Sequence, residues 1–330
     1  MFWSKNEKQN FKVLSISGGT QKGFVSLIIA IKLESELKKL NPNKEFIEYF
    51  NTIIAVSSGS LIASCLVIPS EKNPKKPKYS LSECYKSFNQ GSNILNKEIT
   101  HWNKFLVYAG LKNSVISTDD FAKKLTEGLS LDQNYKLSQA VIPINIISYD
   151  IDNDKPRICS TYEAKKDPKK DFNLKDAFLA SIALPPYFLK KTTHSKHGEK
   201  LHDYDEGIIH PSPIIISLPY IAKENNLERN DINIISIGVS ISKTKDVLKN
   251  LDDQYIIYKA IDYINISQQI TKPPFDDFSK YIYKGFYKLD LTVPIGIQQS
   301  FYNQNNRKDM DNYNKMIACT LKYIDKNENF

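Results

Sequence analysis

Ser57 stands third in Ala55-Val-Ser-Ser-Gly59, between a short apolar run, Thr52-Ile-Ile-Ala-Val56, and an apolar stretch from Ser60 to Ile68. That placement is close to G-x-S-x-G, the pattern of a serine on a tight strand-to-helix turn. Small neighbours let the backbone fold sharply, the hydroxyl stands clear, and the helix N-terminus favours negative charge developing beside it. A nucleophilic serine is the chemistry this permits, although small residues after a strand also make an ordinary turn. In a second segment, Ser17-Gly-Gly-Thr-Gln-Lys-Gly23, consecutive glycines precede a helical stretch, where backbone N–H groups can converge on an anion or oxyanion. Gly18 and Gly23 have the spacing of a nucleotide phosphate loop, but Phe24 and Val25 stand where Lys and Ser/Thr belong, so that reading fails. The third segment is Asp205-Glu-Gly207. A carboxylate fixed by a glycine turn could take a serine proton with no histidine between them. Taken alone, it reads equally as a plain turn.

Other residues compete for attention. Ser58 is the rival nucleophile, but it would put Ser60 rather than Gly59 two positions on. His194, His197, His202 and Asp203 invite a metal site; set among Lys, Ser and Gly, they read instead as a solvated loop. Tyr281-Ile-Tyr-Lys-Gly-Phe-Tyr287 could touch a membrane interface, with aromatic core packing as the default. Cys65, Cys84, Cys159 and Cys319 show no CxxC and no zinc spacing. Cys65 and Cys319 read as small core residues, and a reducing compartment fits best.

The elements that must position these groups follow from periodicity. Phe11 to Ser17 is a β-branched, apolar strand running into Gly18-Gly19, and Gly23 to Leu40 takes helical spacing with a lysine-rich end. Thr52 to Val56 is a buried strand and Ser60 to Ile68 a buried helix, so strand, turn and helix occur twice in succession. Residues 69–80 are rich in Pro and Lys and read as an exposed loop. From 81 to 140 helical patterns dominate, with a cap at Ser117-Thr-Asp-Asp120. Strand signals return at Val141–Tyr149, Arg157–Thr161 and Ile232–Val239. Asn173 to Ala183 is helical and stops at Pro185-Pro186. Amphipathic segments near 253–270 and 311–325 predict helices, and 271–310 gives no clear reading.

In content and order, the glycine loop, the serine elbow and the downstream Asp-x-Gly resemble the patatin-like phospholipase family. That family typically shows D-G-G-G-x-[KR]-G, G-x-S-x-G and D-G-[GA]. Ala180-Ser-Ile-Ala-Leu-Pro-Pro-Tyr-Phe188 is similar to its A-S-x-A-x-P-x-x-F segment, and Ile146-Ile-Ser-Tyr-Asp150 with Asp152 and Lys155-Pro156 to its extended strand and turn. The resemblance covers roughly residues 11 to 240. It implies a three-layer α/β/α fold with a central, mostly parallel sheet. It also implies Ser57 as nucleophile, Asp205 as general base, and an oxyanion hole from the N–H groups around Gly18, Gly19 and Thr20. Lys22, Gly23, Gly59 and Gly207 support the motifs. The implied chemistry, acyl transfer to Ser57 and hydrolysis of the acyl-enzyme, requires no metal and no organic cofactor. A dyad leaves His210 without a catalytic role. Ser17 replaces the loop's usual Asp, Thr20 its third Gly, Ala55 the first elbow Gly and Glu206 the middle Gly of D-G-G. A second carboxylate at 206 could raise the pKa of Asp205 or compete for the serine proton.

The chain is expected to divide into an N-terminal tail (1–10), a catalytic core (11–240) with a candidate helical lid at 69–140, suggested by its position after the elbow, and a mostly helical extension (241–330) packed on the core. The implied function is cleavage of fatty-acyl esters of phospholipids, of phospholipase A or lysophospholipase type. The alternatives are a lipid- or membrane-binding protein that lost catalysis, and a soluble esterase or thioesterase. With 45 Lys+Arg against 37 Asp+Glu, the net charge of +8 favours an anionic phospholipid surface as partner. The basic residues are nearly all lysine, without the arginine–aromatic alternation that suits base recognition, so nucleic acid is not expected as a partner. No apolar run reaches the roughly 18 residues of a spanning helix, and no conventional secretory signal is visible. A cytoplasmic or peripheral membrane location is expected, with non-classical export into another cell and a protein activator left open.

Overall fold

The computed structural model describes residues 11–19, 23–86, 134–185, 187–209, 212–241 and 285–293, with scattered positions in 107–123 and 279–283. Five strands run parallel, β1 (Phe11–Ile16), β2 (Thr52–Val56), β3 (Ile144–Asp150), β7 (Ile232–Ile241) and β8 (Gly285–Val293), in the spatial order β8-β7-β1-β2-β3. β4 (Lys155–Ser160) pairs antiparallel along β3, and the hairpin of β5 (Lys191–His194) and β6 (Lys200–Tyr204) joins antiparallel at the far end of β3. Such a sheet needs both faces covered, because its parallel strands are apolar on each side.

Each face has its own apolar cluster. Leu14, Ile16, Ile53, Ala55, Ile146, Ile235 and Ile237 face the helices α1 (Gly23–Leu40), α2 (Ser58–Val67) and α4 (Leu174–Ser181). Val13, Ile54, Ile232 and Ile234 point the other way, onto Ile214, Leu218 and Ile221 of α5 (Ile214–Asn225). The period of two along the strands and of three to four along α5 is what lets the two surfaces meet. A short helix, α3 (Thr161–Lys166), follows β4 and is capped by the Ser160 hydroxyl. The result is three layers, helices on both sides of a mixed, mostly parallel sheet.

β1, α1, β2 and α2 lie where periodicity puts them. Other regions depart from the sequence reading. The stretch with His194, His197, His202 and Asp203 is the β5–β6 hairpin rather than a solvated loop, and Asp203 is fully buried. Residues 285–293, within a stretch without a reading, form strand β8. α5 carries Pro219 in its interior, which hid its helical period. The tail 1–10, most of the lid candidate, the C-terminal predicted helices, His210 and Cys319 lie outside the described residues.

The β3–β6 junction is held by charge. The Arg157 guanidinium on β4 reaches Asp203 on β6 at 3.0 Å, pairs with Asp150 on β3, and meets Glu199 at 3.4 Å. The Ser148 hydroxyl donates to Asp203 at 2.5 Å. Removing the cation would leave two buried carboxylates facing each other. Arg157→Met is therefore expected to destabilise the fold by about 3–5 kcal/mol, measurable as a drop in the urea unfolding midpoint.

Candidate active site

Register brings the two key residues together. β2 and β3 are paired up to Val56↔Ile147, so the next residue of β2, Ser57, comes level with Ser148. β6 runs back along β3 through Asp203↔Asp150 and Tyr204↔Tyr149, so its next residue, Asp205, comes level with Ser148 from the opposite direction. β4 occupies the other edge of β3 from Asn145 to Asp150, which leaves β2 and β6 to share this one. The Ser57 hydroxyl donates to Asp205 Oδ2 at 2.7 Å across 148 residues of chain.

Ser57 ends β2 and caps α2 with φ 54° and ψ −135°. A non-glycine residue there carries roughly 1–3 kcal/mol of strain that the surroundings must hold in place. They do so at several points. The Ser57 carbonyl accepts the Ser60 amide at 2.8 Å and the Ser60 hydroxyl at 2.6 Å. The Ser57 amide donates to the Ser181 hydroxyl at 2.8 Å. Gly59 lets α2 sit on the end of β1, since a Cβ there would lie 2.4 Å from the Ile16 carbonyl oxygen. Gly18 passes so close to the serine that a Cβ on it would lie 2.6 Å from Ser57 Cβ and 3.2 Å from its Oγ. The glycine loop thus runs against the hydroxyl at Gly18. Thr20 and Lys22 lie outside the described residues. Ala55 is fully buried in β2, and Gly23 opens α1.

Asp205 is buried, accepts the Gly207 amide at 2.8 Å, and its own amide donates to the Ala183 carbonyl at 3.2 Å. Burial pushes its pKa up to about 7, against the lowering pull of the Ser57 and Gly207 hydrogen bonds; Glu206, itself fully buried, adds a smaller upward push. The rise expected from Glu206 is present, but desolvation is the main cause. A carboxylate poised near neutrality is a far better proton acceptor than one at its usual value near 4.

The rival Ser58 is buried, and its hydroxyl makes no hydrogen bond among the described residues. His202 Nδ1 lies 2.7 Å from Asp152, while Asp203 serves Arg157 and Ser148, so the residues of the metal reading diverge. Among the described residues no group of three or more His, Cys, Asp or Glu could hold a metal ion. Sequence reasoning singled out the segment at 180–188 but gave Ser181 and Ala183 no role. A hydroxyl at the end of an apolar helix, just before two prolines, was the available signal.

The profile of the family described as patatin-like phospholipase matches residues 14–216, which include the glycine loop, Ser57 and Asp205. The chain belongs to this family. Patatin-like relatives include patatin-like protein 2 of Oryza sativa subsp. indica, 26% identical over 66% of this chain and 54% of that protein. Patatin-like protein 2 of Arabidopsis thaliana is 27% identical over 64% of this chain and 53% of its own length. Patatin-07 of Solanum tuberosum is 23% identical over 96% of this chain and 79% of that protein. This chain thus spans about half the length of the first two patatin-like relatives. Among solved structures, VipD from Legionella pneumophila aligns with a TM-score of 0.38 and 10% identity, covering 96% of this chain and 67% of that one.

The carboxylate's raised pKa has a signature in stability. The folded value of about 7 lies above the unfolded 3.8, so the protonated group's contribution is full below about pH 4 and is lost as pH rises through 7. Asp205→Asn should therefore be more stable than wild type at pH 8, by as much as about 4 kcal/mol, with the difference closing towards pH 4. Urea unfolding at the two pH values checks it; a less stable variant at pH 8 would contradict the desolvation account.

Proposed function

We propose that the protein is a serine acyl hydrolase cleaving fatty-acyl esters of phospholipids through a Ser57–Asp205 dyad. The observation that carries this reading is the 2.7 Å hydrogen bond from a serine at positive φ to a buried carboxylate. Membership of the patatin-like phospholipase family supports phospholipid esters as the substrate class.

The steps balance with water as the co-substrate. Ser57 Oγ attacks the ester carbonyl carbon as its proton passes to Asp205 Oδ2. The resulting oxyanion is stabilised by backbone N–H groups of the Gly18–Gly19–Thr20 loop and by the positive end of α2. The tetrahedral intermediate collapses, the leaving alkoxide takes the proton from Asp205, and the acyl group stays on Ser57. Water then attacks the acyl-enzyme, giving its proton to Asp205. Fatty acid leaves, and the proton returns to Ser57 Oγ.

The net charge of +8 favours an anionic bilayer as the surface at which this happens. Among the described residues no helix is long and apolar enough to cross a membrane. Headgroup preference and a protein activator are read from the same assay. Wild type should release fatty acid from mixed phospholipid vesicles, faster on anionic ones and less so at high salt. Ser57→Ala should abolish release, and Asp205→Ala should lower it by ~10²–10⁴. Release that needs added cell extract would point to an activator. Release by Ser57→Ala would remove the nucleophile, and no release in any condition would favour a lipid-binding role on the same scaffold.

A further inference from the structure

The pairing of β2 with β3 stops at Val56↔Ile147. One residue on, the Ser57 amide donates not to β3 but to the Ser181 hydroxyl at 2.8 Å, and that hydroxyl donates in turn to the Ile147 carbonyl at 2.6 Å. Ser181 is the last residue of α4 and is fully buried. Its hydroxyl therefore stands between an amide at the end of β2 and a carbonyl of β3, as an inserted rung that continues the ladder. The insertion falls where Ser57 turns to φ 54°. Two residues later, the Ala183 carbonyl accepts the Asp205 amide at 3.2 Å. One short segment thus grips the backbone of both partners of the 2.7 Å hydrogen bond.

Resting on the hydrolase reading above, we infer that Ser181 is a positioning residue for the dyad: its bridging hydroxyl holds the Ser57 backbone in its turn, and the segment it anchors sets the reach between nucleophile and base. Ser181 touches no reacting atom. It acts through the Ser57 amide, and a hydroxyl is the group that can both accept there and donate to Ile147. An aliphatic side chain would leave the amide and the carbonyl buried without their partner, and the elbow would relax.

The test is the second-order rate at which a fluorophosphonate labels Ser57, with kcat and KM on a soluble ester and the unfolding midpoint measured alongside. Ser181→Ala is expected to label about 10–100-fold more slowly and lose kcat in proportion, with KM changed by less than about threefold. Ser181→Thr, which keeps the hydroxyl, should recover most of the rate. Ser217→Ala, a buried serine on α5, the helix of the other apolar cluster, should label as wild type does. If Ser181→Ala fails to fold, Ser181→Cys decides, since a thiol fits the space but bridges weakly and should label at an intermediate rate. A folded Ser181→Ala, or in its place Ser181→Cys, that labels at the wild-type rate would overturn the positioning role and leave the hydrolase reading standing. An unlabelled wild type would overturn the hydrolase reading and the positioning role with it.

Discussion

A hydroxyl and a carboxylate placed 148 residues apart must meet at hydrogen-bonding distance in a buried spot. Burial lifts the pKa of Asp205 to about 7, which suits it to the proposed role of a base without a histidine. It also makes the pair expensive, because an ionised buried carboxylate opposes folding. Much of the architecture can be understood as the means of holding that pair. β2 and β6 deliver their ends to the same level of β3 from opposite directions, and β4 closes the other edge so that they have nowhere else to pair.

Two groups of interactions secure the meeting point. Arg157 with Asp150, Asp203 and Ser148 fixes the β6 side, where the hairpin has little apolar surface of its own to bury. Ser60, Gly59 and Ser181 fix the strained serine from the α2 and α4 side, within the larger apolar cluster. Strain at Ser57 and desolvation at Asp205 are each worth a few kcal/mol, a large fraction of a domain's net stability. The surrounding core is what can sustain both at once.

Sequence alone carries the local chemistry well. A serine between a buried strand and a buried helix, and glycines after the first strand, announce themselves because turns and helix ends select residue types within a few positions. The β5–β6 hairpin is silent for the opposite reason. Its strands are mostly Lys, Thr, His and Asp, with Leu201 as the single fully buried apolar side chain, and Asp203 is buried only because Arg157, 46 residues away, satisfies it. Pro219 similarly disguises α5, whose helical state rests on packing against β1 and β7. Ser181 is visible as a residue type, but its role depends on a register between β2 and β3 that local spacing does not encode. Glu206 shows the converse: its neighbourhood to Asp205 is legible in sequence, while the stronger effect on that carboxyl, desolvation, comes from the fold.

The claim at the centre is that burial, rather than a histidine, supplies a base of near-neutral pKa to Ser57. The pH dependence of the rate at which a fluorophosphonate inactivates the folded wild-type protein tests this most directly, since it reads the protonation state of the group that activates the serine. The rate should rise with pH through a single transition centred near 7. A rate already level above pH 5, or still climbing without a plateau beyond pH 9, would mean that Asp205 is not the base, or is not desolvated as described.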